Sequence, residues 1–249
     1  MSQNDWVILT GASGKLGTVM TGHLLHQGWK VLAVTRTEES AARLRGMYEA
    51  PDNLQCLAID LQSDSAIASL IACCNSEQGA YAVIHNARSL SSLKISDQGI
   101  AADEDLHAEF SMAVTIPYRL TCALQEHGLQ RVIFISSQYG VVSPNPNLYE
   151  DGLKSSPIQY GVSKAAQIQL AKELSVRLAS HGTLVNSIAL GGVRGRVDKG
   201  LEERYSQMLP LGRMLEEQEL LPAIDFLLDP RNTATTGSLL TVDGGWTVT

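Results

Sequence analysis

The sequence lacks any run of basic residues: 249 residues carry 19 Lys and Arg against 26 Asp and Glu, a net charge of −7. Without a basic stripe there is no footprint for nucleic acid or another polyphosphate partner. Cysteine is scarce as well. Cys56, Cys73, Cys74 and Cys122 form neither a CxxC pair nor a Cys/His ligand spacing, so no metal is expected. The thiols are read as buried or idle in a reducing cytosol. No apolar stretch approaches the roughly 18 residues of a membrane span. The opening MSQNDWVILT has no basic region and passes directly into a strand pattern, which predicts a chain without a secretory signal, soluble and cytoplasmic. Linkers, low-complexity tracts and fixed-period repeats are also missing. The length suits one large domain, 1–249, able to bury a sizeable core.

What is present is a regular alternation. Trp6–Thr10, Lys30–Thr35, Leu54–Asp60, Tyr81–Asn86, Arg131–Ser137, Thr183–Leu190 and Ser238–Asp243 are short apolar runs, continuous rather than alternating in polarity. That is how strands buried on both faces of a parallel sheet look. Helical stripes lie between them, such as Leu16, Val19, Met20, Leu24 and Ile168, Leu170, Leu174, Leu178. Repeated strand–helix units predict an α/β fold: a doubly wound, mostly parallel seven-stranded Rossmann sheet in a single domain. One segment breaks the rhythm. Residues 138–157, with Pro144, Pro146 and Pro157, are too long and proline-rich for an ordinary connection and are expected to border a functional site.

The chemistry concentrates in three places. Tyr160 precedes Lys164 by one helical turn, so phenol and ammonium share a face, and a nearby cation favours the phenolate that a general acid–base needs. TGASGKLG, Thr10 to Gly17, joins the first strand to the first helix. Its glycines, Gly11, Gly14 and Gly17, suit a tight turn that brings a pyrophosphate to a helix N-terminus. The second strand ends in Thr35 and Arg36. No carboxylate stands there to repel a 2′-phosphate, and a guanidinium can pair with one, which favours NADP(H) over NAD(H); the alternative is a solvated Arg36.

In this order the landmarks TGASGKLG, Asp60, HNAR at His85–Arg88, ISS at Ile135–Ser137, YGVSK at Tyr160–Lys164, VNSIALGG at Val185–Gly192 and VDGGW at Val242–Trp246 resemble the short-chain dehydrogenase/reductase family over nearly the whole chain. The resemblance implies that Ser137 holds the substrate oxygen, Tyr160 exchanges the proton, and Lys164 binds the nicotinamide ribose while lowering the phenol pKa. The cofactor contacts expected are then Gly11, Ser13, Gly14, Lys15, Leu16, Gly17 and Arg36, with Asp60, Leu61, Asn86, Ala87, Tyr160, Lys164 and the backbone near Val193. It also implies a homodimer or homotetramer. Against the family pattern, Arg88 stands where Gly is usual, Leu190 for Pro and Gly195 for Thr. Ala113 takes the place of an Asn that usually anchors a water relay behind the lysine. The glycine spacing is that of the larger two-domain branch, yet 249 residues leave no room for its substrate domain.

The loop before Tyr160 resembles that of reductases found with flagellin-glycan and nonulosonic-acid pathways, sharing YGVV, a proline and Tyr149–Glu150. That implies a sugar, sugar phosphate or nucleotide sugar as the small-molecule substrate. Arg194 and Arg196, in the loop after the sixth strand, are expected to face the cleft and hold an anionic substrate group; the alternative is two solvated arginines. His23 and His26 are read as helix-surface or packing residues. The resulting expectation is an NADP(H)-dependent oxidoreductase interconverting alcohol and ketone. Two alternatives are a catalytically impaired dinucleotide-binding sensor or scaffold, and a sugar epimerase or dehydratase on the same cofactor.

Overall fold

Along Trp6–Thr10 the side chains of Val7 and Leu9 enter one apolar cluster while Trp6 and Ile8 enter another. The same division separates Val31 and Ala33 from Leu32 and Val34, and Ile133 and Ile135 from Val132 and Phe134. Successive strand side chains point to opposite faces, so two cores form only if both faces of the sheet are covered. The computed structural model, which describes residues 6–49, 52–74 and 79–249, shows how. Its strands are β1 (Trp6–Thr10), β2 (Lys30–Thr35), β3 (Leu54–Ala58), β4 (Ala80–His85), β5 (Arg131–Ser137), β6 (Leu184–Leu190) and β7 (Leu239–Val242). They pair in parallel in the order β3-β2-β1-β4-β5-β6-β7. The third strand ends at Ala58 rather than Asp60, because Asp60 Oδ1 accepts from Gln62 N and its carbonyl from Ser63 N, which turns the chain away.

The helices are α1 (Lys15–His26), α2 (Glu38–Met47), α3 (Ala66–Cys74), α4 (Asp103–Phe110), α5 (Ile116–Leu124), α6 (Ile158–Arg177), α7 (Lys199–Met208) and α8 (Leu221–Leu228). One core joins α1 and α8 through Leu16, Met20, Leu24, Ile224 and Leu227. The other takes Leu70 of α3, Leu120 and Leu124 of α5, and Ala171 and Leu174 of α6. His23 reaches across the first of these faces to Asp225 Oδ1 at 2.7 Å. Both neighbours of β1, β2 and β4, are reached by crossovers in opposite directions. The crevice at their carboxyl ends is where open α/β sheets bind ligands.

Residues 138–157 fold into three short 3₁₀ turns, Gln138–Gly140, Pro146–Leu148 and Gly152–Ser155. A third cluster anchors them: Leu148 packs with Tyr205, Leu209, Met214 and Trp246, and Arg204 of α7 donates to Leu148 O at 2.8 Å. Tyr205 stacks on Trp246 with centroids 4.4 Å apart. The aromatic of the C-terminal VDGGW run therefore supports the insertion rather than the sheet. Among the described residues no helix is long and apolar enough to cross a membrane, and no group of three His, Cys, Asp or Glu could hold a metal.

Candidate active site

The turn after β1 is built by exclusion of side chains. Gly11 adopts φ +66°, and a Cβ there would sit 2.8 Å from Ala87 Cα. At Gly17 a Cβ would lie 2.2 Å from Gly11 O, so only glycine lets α1 start this close to the strand. Gly14 caps α1 in extended conformation with no side-chain hydrogen bond, leaving the first-turn N–H groups open, with Lys15, Leu16 and Gly17 in that turn. Such a terminus attracts an anion. Asn86 and Ala87, just past β4, are fastened to the same turn. Their N–H groups donate to Thr10 Oγ1 at 3.0 and 3.1 Å, and Asn86 Nδ2 donates to the Thr10 and Gly11 carbonyls. Arg36 is exposed at the end of β2, Asp60 is exposed after β3, and Leu61 is half-buried against the core. Ser13 O accepts from Arg43 of α2 at 3.3 Å. This guanidinium beside the glycine turn has no local signal in the sequence, since it stands seven residues from Arg36.

Two further glycines let β5 and α6 approach. A Cβ at Gly140 would meet Lys164 C at 2.8 Å, and one at Gly161 would meet Tyr139 O at 3.1 Å. Ser136 Oγ donates to Lys164 O at 3.0 Å across this contact. Ser137, ending β5, is buried. Its Oγ accepts from Tyr139 N at 3.2 Å, which leaves its own proton available to a ligand oxygen. Gln138, next in the chain, accepts from Tyr205 Oη at 2.7 Å, and that hydroxyl in turn accepts from Gly192 N at 2.8 Å. The loops after β5 and β6 are thus tied to α7 through one phenol.

Lys164 lies under Tyr160, its Nζ 5.9 Å from the ring centroid. Its ammonium is buried and donates to Ile135 O at 2.8 Å and Gln167 Oε1 at 3.1 Å. Gln167 Nε2 then donates to Ala113 O at 3.0 Å. Ala113 sits in a π-helical turn, Ser111–Thr115, between α4 and α5, of the kind that gathers at functional sites. At the position where the family pattern has Asn, a backbone carbonyl and a glutamine side chain complete the support of the lysine. Gln167, three residues past Lys164 on the same face, was legible from helical spacing. Glu109, buried at the end of α4, was not; it accepts from Ser92 Oγ at 2.6 Å.

Burial lowers the Lys164 ammonium to about 8, opposed by the Glu109 carboxylate and reinforced by Arg88. The charged lysine is the form that favours a phenolate, so in free enzyme kcat/KM should fall along an alkaline limb near pH 8. Stability moves the other way. Between about 8 and the ordinary 10.5 the unfolded chain holds a proton that the folded chain has lost, so stability rises with pH in that window. Denaturation of the cofactor-free protein at several pH values should show this rise in the wild type and not in Lys164→Met. Equal slopes would mean Lys164 titrates normally.

The loop after β6 runs back over this edge. Leu215 N donates to Gly192 O and Arg194 N to Leu215 O, both at 2.9 Å, and the parallel bridge they form turns the buried Val193 amide the other way. The Lys15 ammonium is taken by Arg194 O and by Glu217 at 3.1 Å. Arg194 does not face the cleft as expected: Glu202 at 2.9 Å and Glu216 at 2.8 Å hold its guanidinium. Arg196 has no carboxylate within 4.0 Å among the described residues. It keeps solvent access, and its guanidinium pKa is lowered by burial and by Arg88, while Tyr160 and Glu217 raise it. Arg88 itself lies over the Tyr160 ring, Cζ 5.8 Å from the centroid. A cleft of about 470 Å³ lies farther out, between Leu93–Asp97 and the insertion at Asp151–Pro157. Neither Ser137 nor Tyr160 lines it, and the polar groups that can do chemistry converge on the sheet edge instead.

A family model described as enoyl-(acyl carrier protein) reductase matches residues 11–247. Among curated proteins, the uncharacterized oxidoreductase YmfI of Bacillus subtilis is 27% identical, over 98% of this chain and 99% of its own length. Post-translational flagellin modification protein A of Campylobacter coli is 24% identical over 99% of both chains. The 2-keto-3-deoxy-L-fuconate dehydrogenase of Xanthomonas campestris is 24% identical over 98% of this chain and 80% of its own. Among solved structures, a short-chain dehydrogenase from Leptospira borgpetersenii with bound NAD+ superposes with a TM-score of 0.86 at 21% identity, covering 98% of this chain and 93% of that one. The RhlG/NADP complex of Pseudomonas aeruginosa gives 0.84 at 22%, covering 98% and 96%.

Proposed function

Because this chain belongs to the short-chain dehydrogenase/reductase family, an oxidoreductase family whose members bind a nicotinamide dinucleotide, we propose that it is an NADP(H)-dependent enzyme interconverting an alcohol and a ketone on a sugar or sugar derivative. One observation carries the reading: a buried lysine, its Nζ 5.9 Å from the Tyr160 ring centroid, is held by Gln167 and by the carbonyl of Ile135, two residues before Ser137, whose hydroxyl proton is uncommitted. A protein that only bound a dinucleotide would have no use for that set.

The residues present fit the cofactor. The Gly11–Gly17 cradle has room only where side chains are missing, and it ends at the uncapped N-terminus of α1, which would take the pyrophosphate. Arg36 would take a 2′-phosphate, Asp60 and Leu61 would border the adenine, and Asn86 and Ala87 the ribose. The third donor of Lys164 would reach the nicotinamide ribose, and the outward Val193 amide the carboxamide. When bound, the nicotinamide supplies or accepts the hydride. The chain does the rest. Ser137 Oγ–H donates to the reacting oxygen and fixes its position, and Tyr160 Oη gives that oxygen a proton in reduction or takes it in oxidation. Lys164 stabilises the phenolate left behind.

Preference for NADP(H) rests on Arg36, exposed and without a carboxylate within 4.0 Å among the described residues. Arg36→Ala should weaken NADPH binding by about 1.5–3 kcal/mol, the range for hydrogen bonds to a charged group, and leave NADH binding nearly unchanged. Calorimetric titration reads both, and equal losses for the two nucleotides would remove the assignment. The sugar reading is supported by the resemblance of the insertion before Tyr160 noted in the sequence, and by the similarity to a flagellin modification protein and to a 2-keto-3-deoxy-L-fuconate dehydrogenase. Keto-sugars and their phosphates assayed with NADPH test it directly. No turnover of any of them, beside turnover of simple ketones, would refute it.

A further inference from the structure

The loop after β4 brings Arg88 to the first turn of α6, its Cζ 5.8 Å from the centroid of the Tyr160 ring; the loop after β6 carries a second arginine, Arg196. The two guanidiniums are within electrostatic reach of one another and of the phenol. Two cations at the β6 loop have carboxylates. Arg194 has Glu202 and Glu216, and Lys15 has Glu217. Arg88 and Arg196 have none within 4.0 Å among the described residues. Glu217, the acid nearest in influence to Arg196, is the one engaged by Lys15, and Glu109 faces Lys164 from below. Like charges left together, next to a buried ammonium and in a chain of net charge −7, repel unless an anion comes between them.

We infer that Arg88 and Arg196 form an anion subsite beside Tyr160, which takes a carboxylate or phosphate carried by the ketone or alcohol substrate close to its reacting carbon. The inference rests on the oxidoreductase reading and adds the charge of the substrate to it. Guanidiniums suit such groups because their donors form a planar fork matching two oxygens. Placed over the ring, Arg88 would hold the anionic end while Ser137 and Tyr160 hold the carbonyl oxygen. The β4 loop thus contributes to substrate choice through the residue that stands where the family pattern has glycine.

The test compares ketones that differ only in charge, assayed with NADPH: dihydroxyacetone phosphate against dihydroxyacetone, and acetoacetate against its methyl ester. The charged member of at least one pair should have a kcat/KM higher by roughly tenfold or more, the effect of hydrogen bonds to a charged group. Which pair shows it separates phosphate from carboxylate. In Arg88→Ala and Arg196→Ala the ratio within that pair should fall toward one. If wild type prefers the neutral members, the subsite is wrong and the oxidoreductase stands. If Arg88→Ala lowers both members equally, Arg88 only braces the Tyr160 ring and the subsite is again wrong. Should no ketone react, binding decides: inorganic phosphate titrated into the NADPH complex should bind wild type and not the Arg88→Ala/Arg196→Ala double variant, and unchanged binding there would overturn the inference.

Discussion

Tyr160→Phe should lower turnover by about 10²–10⁴-fold, the usual worth of a positioned acid–base, while leaving dinucleotide affinity close to wild type. The ring stays, so its packing with Lys164 and Arg88 survives; only the hydroxyl that moves the proton is lost. Lys164→Ala is expected to damage both turnover and binding, because the same ammonium supports the phenol and is placed to reach a ribose. Steady-state kinetics on a substrate found in the keto-sugar panel, with fluorescence titration of NADPH, separates the two effects. A Phe variant with wild-type turnover would remove Tyr160 from the chemistry. The stoichiometry of NADPH in the same assay discriminates a reductase, which consumes it, from an epimerase or dehydratase, which returns it unchanged.

Gly17→Ala should be the most damaging single methyl in the chain. Its Cβ would fall 2.2 Å from Gly11 O and 2.8 Å from Ala12 Cα, and neither backbone atom can swing aside as a side chain would. The start of α1 must move off the β1 turn, taking the anion-facing N–H groups with it. Overpacking of this kind costs roughly 1–3 kcal/mol, and the dinucleotide should lose most of its affinity as well. Gly46→Ala is the control. Nothing lies within 4 Å of a Cβ there, and a helical alanine in α2 should stabilise by about 0.5–1 kcal/mol. For Gly46→Ala the thermal denaturation midpoint should rise while NADPH calorimetry stays unchanged. A Gly17→Ala protein that binds NADPH normally would show that the cradle relaxes.

Much of this is legible in the sequence. The strands β1, β2 and β5 have the limits that their apolar runs predict, because a run buried on both faces has no polar residue to blur its ends. Tyr160 and Lys164 share a face because helical geometry allows nothing else at that spacing. The cradle is legible in part for the same reason: Gly14 and Gly17 answer close approaches to Gly11 O a few residues away, whereas Gly11 answers Ala87, which only the fold brings near. Residues 138–157 were marked by proline and length, but their fold into 3₁₀ turns depends on Tyr205, Trp246 and Arg204, far along the chain.

The sequence by itself determined the sheet, the glycine turn, the placing of Tyr160 and Lys164 on one helix face and the absence of a carboxylate at the end of β2, all set by local spacing and residue type. Tertiary structure decided which charges meet. Arg194 and Arg196 are near neighbours in one loop, and nothing local distinguishes them; Glu202 and Glu216 claim the first, while the second has no carboxylate within 4.0 Å among the described residues. Likewise the Ala113 carbonyl that fixes Gln167, the glutamine bonded to Lys164, is reached only once α6 packs on the π turn. A long side chain goes to the partner that folding places within reach, and that partner is chosen by elements distant in sequence.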